Sequence, residues 1–126
     1  LGKADLILSI EPMESLRYLP FLSPEGIIVT TTEPYENIGN YPDIDDLLNN
    51  SRMSAKHLLV DAKIIAQEAG GSKTYNIAML GAASPYLGIE TEEVDKAIEI
   101  FFKSKSDKIV EMNLKAFWLG IDKCKN

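Results

Sequence analysis

The segment Ala4-Asp5-Leu6-Ile7-Leu8-Ser9-Ile10-Glu11-Pro12, followed by the run Ile27-Ile28-Val29-Thr30-Thr31-Thr32, decides the fold. The first part is a short apolar strand from Asp5 to Ser9 that ends on an acidic turn. The second is β-branched, as strands prefer. Roughly 16 residues lie between them, long enough for a crossover and too long for a tight hairpin. Both runs are nearly continuous in apolar residues, the pattern of strands covered on two faces. The stretch therefore predicts a right-handed βαβ unit of an open, mostly parallel α/β sheet of Rossmann-like type. Pro12 suits the first turn of the crossover helix, with Glu11 at its N-cap and Glu14 in the first turn. That helix is expected from Met13 to about Phe21. Leu16, Leu19 and either Tyr18 or Pro20 would face the sheet, and Arg17 would point out. Ser23-Pro24-Glu25-Gly26 has the residue order of a β-turn.

Working outward, the pattern dissolves after Thr32. Residues 33–42 hold Pro34, Pro42, Gly39 and two asparagines, a surface connection. Asp43 is a good N-cap for a short helix, Ile44 to about Asn50, anchored by Leu47 and Leu48. His57-Leu58-Leu59-Val60 predicts a third strand. Asp61 would cap a helix from Ala62 to Ala69 with Ile64, Ile65 and Ala69 as its apolar face, and Gly70-Gly71 would stop it. Thr74 to Tyr86 is uncharged and rich in small residues, a buried helix in which Gly81, Ala82 and Ala83 would admit a neighbouring backbone closely. Thr91 is expected to cap the next helix, with Glu92 and Glu93 in its first turn and Val94, Ala97, Ile98 and Phe101 as its apolar face. Lys103 and Lys105 fall near its end. The last helix is expected from Asp107 to about Ile121, with Val110, Leu114, Phe117 and Ile121 in one stripe, widened by Met112 and Ala116, and Gly120 near its end.

Composition narrows the function classes. The 126 residues suit one domain and one core, with 45% hydrophobic and 25% charged residues. A net charge of −6 argues against nucleic acid as a partner. No apolar run approaches the roughly 20 residues of a membrane helix, so no membrane partner is expected. Residues 1–50 carry Lys3 and Arg17 against nine acids. Between Glu33 and Asp46 there is no base at all. That acidic face is either a solvated loop or a docking surface for a basic partner. The single cysteine, Cys124, forms no internal disulfide, which suits a reducing cytoplasm, and cannot by itself hold an iron–sulfur cluster. The single histidine, His57, has no His or Cys nearby in sequence to share a metal with.

In an open parallel sheet, ligands bind beyond the carboxyl ends of the strands. That edge would carry Glu11, Thr32 with Glu33, and Asp61. Glu11 is the first candidate for a binding role, against the simpler reading of an N-cap. Asn76 and Asn113 are polar residues within or beside apolar helical faces. Each can bind a ligand carbonyl or, more ordinarily, pair with a backbone group in the core. Tyr75 and Trp118 read as packing or half-exposed interface residues. There is no Walker or dinucleotide glycine loop after any strand, no nucleophile elbow, and no Gly-Asp-Gly segment of the kind that holds a magnesium diphosphate. No catalytic residue and no metal ligand is assigned, and any reactive cofactor is expected on another chain or domain.

Three segments taken together resemble a known family. The stretch from Ala4 through Glu11-Pro12 to Ser15-Leu16-Arg17 resembles the strand–Glu-Pro–"Ala-Leu-Arg" element of the gamma-type domain of 2-oxoacid:ferredoxin oxidoreductases. Asn76-Ile77-Ala78-Met79-Leu80-Gly81-Ala82 resembles its "Asn…Leu-Gly-Ala" helix, and Asn113-Leu114-Lys115-Ala116-Phe117 with Gly120 its closing helix. The Tyr41-Pro42 loop and the compact plan are most similar to the smaller subunit of the two-subunit arylpyruvate branch, which acts on indolepyruvate. The resemblance implies a subunit of an anaerobic enzyme that oxidatively decarboxylates a 2-oxoacid with coenzyme A. Electrons would pass to ferredoxin through thiamine diphosphate and iron–sulfur clusters held by a larger catalytic subunit. The chain itself would aid assembly and shape the active site without binding those cofactors. The family's N-terminal strand with its Gly-Gly-Gln-Gly loop has no counterpart here, so the 126 residues are expected to be a single domain that is the C-terminal portion of a larger gamma-type domain. The alternatives are a nucleotide- or CoA-binding Rossmann-like module and a non-catalytic interaction domain.

Overall fold

The computed structural model describes residues 2–10, 17–31 and 56–123. The chain divides into two compact units, residues 1–61 and 62–126.

The first unit is a three-stranded parallel sheet in the order β1 (Ala4–Ser9), β2 (Leu22–Thr31), β3 (Lys56–Val60). The parallel pairing of β1 with β2 requires the crossover that the sequence predicted. The register places Ser9 beside Thr30, and Thr31 beside Val60, so the three strands end at one edge. β2 is central, and Ile28, Val29, Thr30 and Thr31 are buried in succession. Neighbouring residues on a strand point to opposite faces, so a run of four means both faces are covered. β1 differs from expectation, because none of its residues is fully buried and Leu8 is 40% exposed. Its apolar run is that of an outer strand among those described.

Ser23-Pro24-Glu25-Gly26 lies inside β2 rather than before it. Between the pairs Ala4–Leu22 and Leu6–Ile27, β2 advances five residues while β1 advances two. The turn-forming residues are thus held as an irregularity that the strand runs through, as a bulge is. A Cβ at Gly26 would strike the Leu22 side chain and lie 2.8 Å from the Ala4 carbonyl oxygen, so only glycine lets the two strands close there. Of the crossover helix, residues 11–16 lie outside the described part. The rest holds Arg17 in a last helical position and a 3₁₀ turn, Leu19–Phe21. Tyr18 is 48% exposed and Pro20 is exposed, so neither is the sheet-facing residue expected of it. The short helix expected over 44–50 and the acidic face from Glu33 to Asp46 also lie outside the described residues.

The second unit is helical: α1 (Ala62–Ala69), α2 (Tyr75–Ala83), α3 (Thr91–Phe102) and α4 (Asp107–Lys123). α1 ends where the glycine pair stops it. Gly70 takes φ 110°, and the Gly70 and Gly71 N–H groups donate to the Gln67 and Ala66 carbonyls at 3.1 Å, closing a Schellman motif. Its buried face is Ala62, Ile65, Ala66 and Ala69. Ile64, expected in that face, is 47% exposed. The helical repeat puts residues 62, 65, 66 and 69 on one stripe and leaves 64 beside it.

α2 is preceded and followed by single 3₁₀ turns, Ser72–Thr74 and Ser84–Tyr86. Its Ala78, Met79, Gly81, Ala82 and Ala83 are buried, and its most extensive contact is with α4. There the backbones nearly touch. A Cβ at Gly81 would overlap the Phe117 carbonyl oxygen, and one at Gly120 would overlap the Ala78 carbonyl oxygen and lie 2.9 Å from the Ala82 nitrogen. Gly81 acts as the sequence predicted. Gly120 is the reciprocal notch on the partner helix, and α4 continues past it to Lys123.

α4 begins with a cap the sequence reading did not use: the Ile109 N–H donates to Ser106 Oγ at 3.1 Å. Phe117 is fully buried and packs with Ile98 and Ile121. The start of α3 also differs from expectation. Glu90, not Thr91, stands at its N-cap, and Thr91 Oγ1 donates to Glu92 Oε2 at 3.2 Å instead of capping. Of its expected apolar face, Ile98 is buried and Val94 half-buried, but Ala97 is exposed and Phe101 is 72% exposed. Phe102 takes the inward place, packing against the Phe117 cluster. The Trp118 Nε1–H donates to Asp95 Oδ2 at 2.6 Å. Residues 94, 95, 98 and 102 therefore face α4, in place of the expected 94, 97, 98 and 101.

Candidate functional site

The carboxyl edge of the sheet is built as the sequence predicted, from the ends of β1, β2 and β3. Of the residues expected on it, Glu11, Thr32 and Glu33 lie outside the described residues. Asp61 follows β3 directly and is half-buried. Thr30, paired with Ser9 and Leu59, is fully buried, and its Oγ1 has no hydrogen-bond partner. A sealed hydroxyl without a partner is costly. It was hidden in the sequence as one more β-branched residue of an apolar run.

The two asparagines of the helical unit part company. Asn76 is exposed on α2. Asn113 is 5% exposed on α4, and its Nδ2 donates to the Ile109 carbonyl at 2.8 Å. Asn113 also lines a groove of about 510 Å³, whose lining residues do not include Asn76. One wall is the segment 71–74, between the end of α1 and the start of α2, and another is α4 at Ile109 and Met112. The Met112 sulfur lies close against the two glycines, 3.4 Å from where a Cβ on Gly70 would sit. The end of α3 and the turn after it contribute Phe102 and Lys105. No sequence motif signals this concavity, because three separate segments make it. The one readable sign was Asn113, a polar residue on an apolar stripe.

Among the described residues, no three His, Cys, Asp or Glu side chains gather as a metal site requires. Cys124 lies outside the described residues. The described donors therefore do not fit an iron–sulfur cluster, which takes about four thiolates. No described helix is long and apolar enough to cross a membrane.

A model of the family described as pyruvate ferredoxin/flavodoxin oxidoreductase matches residues 1–123. The chain belongs to that family. Its curated relatives include proteins named indolepyruvate oxidoreductase subunit IorB. It is 33% identical to the one from Thermococcus kodakarensis and 34% identical to the one from Pyrococcus horikoshii, in each case over 98% of this chain. The Archaeoglobus fulgidus protein of the same name is 32% identical over 94% of the chain. The chain spans 65% of the length of the first two relatives and 62% of the third. The resemblance stated from three sequence segments, including its indolepyruvate branch, is thus matched by relatives along nearly the whole chain.

Among solved structures, the chain is similar to a 2-oxoglutarate:ferredoxin oxidoreductase from Magnetococcus marinus with 2-oxoglutarate, coenzyme A and succinyl-CoA bound. The TM-score is 0.71 at 17% identity, over 98% of this chain and 20% of that one. That likeness agrees with the α/β class and the open parallel sheet.

Proposed function

We propose that this chain is part of a subunit of a 2-oxoacid:ferredoxin oxidoreductase that acts on indolepyruvate or a related arylpyruvate. The observation that carries the reading is the family match across residues 1–123, joined by relatives named as indolepyruvate oxidoreductase subunits over 98% of the chain. In this reading the enzyme decarboxylates the 2-oxoacid oxidatively, transfers the acyl group to coenzyme A and gives two electrons to ferredoxin. A larger catalytic subunit holds thiamine diphosphate and the iron–sulfur clusters. This chain contributes assembly surface and shapes the active site, in the cytoplasm. The sheet unit and the helical unit are portions of one larger gamma-type domain, which the unbroken family match across both units supports.

The chemistry of the described residues is compatible with a supporting role. They supply buried backbone and apolar surface, a parallel-sheet edge and a groove. The candidates for contact with a cofactor or substrate are Glu11, Asn76 and Asn113.

Co-expression tests the proposal. The chain purified alone should not oxidise indolepyruvate. Co-expressed with the catalytic subunit encoded by the same host, it should co-purify with it and give ferredoxin reduction that depends on coenzyme A. Failure of the two to co-purify, or activity of the catalytic subunit that is unchanged by this chain, would refute it.

A further inference from the structure

One face of α3 stands in solvent although its centre is apolar. The helix meets α4 through Val94, Asp95, Ile98 and Phe102. The helical repeat puts Glu93, Ala97, Ile100 and Ser104 on the opposite side, and all four are exposed. Ile100 is 74% exposed, and Phe101 beside it 72%. The neighbouring stripe is Glu92, Lys96, Glu99 and Lys103, again at helical spacing and exposed throughout. Its charges alternate: acid, base, acid, base. Such spacing supports a lone helix through pairs four residues apart. That leaves the large apolar residues beside it unaccounted for. Taken from the other end, the order is base, acid, base, acid. The stripe is thus its own complement when two copies of the helix run antiparallel. In a parallel pair in register, like charges would meet.

We propose that α3 pairs with α3 of a second copy of this chain, antiparallel about a two-fold axis. An axis level with Ala97 and Ile98 sets Glu92 opposite Lys103 of the other copy, and Lys96 opposite its Glu99. Each pair occurs twice by symmetry, as in any isologous contact. The small Ala97 side chains meet at the centre. They let the helices come close and leave the two Ile100 side chains on either side of them. Phe101 covers one flank of the seam, and the charges cover the other. Antiparallel alignment also sets the positive end of each helix dipole beside the negative end of the other. A second copy matches all four charges by symmetry, with no further requirement on its sequence. One helix from each copy is a small surface, at the low end of interface sizes, so the pairing is weak, with a Kd of about 0.3 mM.

Sedimentation equilibrium of the full chain tests it. At about 10 µM, where roughly one chain in twenty is paired, the chain should sediment as a monomer. At about 1 mM roughly two-thirds of the chains should be in dimers, and the weight-average mass should rise about 1.7-fold. Ile100→Ser with Phe101→Ser should stay monomeric at about 1 mM, with unchanged far-ultraviolet circular dichroism. Two charge variants test the matching of the stripes. Lys96→Glu with Lys103→Glu makes the stripe wholly acidic, and Glu92→Lys with Glu99→Lys makes it wholly basic. Each variant alone should stay monomeric, and their equimolar mixture should pair at least as tightly as the parent.

A parent chain that is still a monomer at about 1 mM overturns the proposal, since that lies beyond the expected Kd. So does pairing that survives in the Ile100 and Phe101 variant, or a mixture of the two charge variants that fails to pair although both are folded. If the parent stays monomeric and the Ile100 and Phe101 variant no longer co-purifies with the catalytic subunit, the face belongs to that subunit and the second-copy reading falls. The pairing is a property of this chain by itself, so sedimentation and the co-expression assay can fail separately.

Discussion

α2 and α3 are both helices with apolar residues in half or more of their positions, yet only α2 is sealed. Five of its nine residues are buried, against Ile98 alone among the twelve of α3. On α3, Ile100 is 74% and Phe101 72% exposed. The difference does not follow hydrophobicity, because the exposed residues of α3 are larger and more apolar than the buried alanines of α2. It follows how closely a neighbouring backbone can come. Gly81 on α2 and Gly120 on α4 each leave room for the other helix's main chain, so every small residue between them is covered. α3 has no such notch. It touches α4 by a narrower stripe, Val94, Ile98 and Phe102, and by the Asp95–Trp118 hydrogen bond.

The largest effect should come from filling a notch. Gly81→Ala places a methyl group on the Phe117 carbonyl, which is backbone and cannot turn aside. The two helices must separate, and a cost of about 3 kcal/mol is expected, at the upper end of overpacking. Urea unfolding followed by circular dichroism measures it. A cost below about 1 kcal/mol would mean that α2 and α4 part easily, and the contrast with α3 would lose its cause.

Much of this was legible in residue order, and the exceptions share a reason. The bounds of α1 were readable because its stop is a local signal, Gly70-Gly71. The three strands were readable from short apolar runs, but only the β-branched run of β2 reported its covering, since no residue of β1 is fully buried. The closeness of α2 to a neighbour was readable from Gly81 and the alanines after it. The rotation of α3 was not, because it depends on Trp118, which lies 23 residues beyond Asp95. Periodicity alone allows a face centred on residues 94, 97, 98 and 101, and the distant partner selects the adjacent one. The beginning of β2 was missed for a different reason. Ser23-Pro24-Glu25-Gly26 does have turn chemistry, but a bulge uses the same chemistry without ending the strand. At the site, Asn113 stood out as a polar residue on an apolar stripe. The groove it lines did not, since the glycine pair, the end of α3 and the first turns of α4 converge only in three dimensions.

A middle-sized effect isolates what holds α3 in its observed rotation. Trp118→Phe keeps an aromatic ring beside Phe117, with which Trp118 now makes an edge-on contact at 5.5 Å, and deletes the donor to Asp95. The bond is exposed, so about 1 kcal/mol or less should be lost in urea unfolding. Asp95→Asn keeps an acceptor and should cost less than Trp118→Phe. If both variants were neutral, the rotation of α3 would rest on Phe102 and Ile98 alone.

The smallest effect concerns the open face of α3, and its smallness is the point. Ile100→Ser and Phe101→Ser remove large apolar side chains, which in a core would cost several kcal/mol. Here both side chains are about three-quarters in solvent already. Ser, Ile and Phe have similar helix propensities, so the backbone contributes little to the change. Phe101 does make an edge-on contact with Phe102, with ring centroids 4.9 Å apart, and its loss is the main cost expected. The double variant of the free chain should therefore unfold within about 0.5 kcal/mol per site of the parent. A loss of 2 kcal/mol or more would show that these residues are covered in solution. The distinction between a helix sealed by glycine notches and one left open would then describe α2 correctly and α3 wrongly.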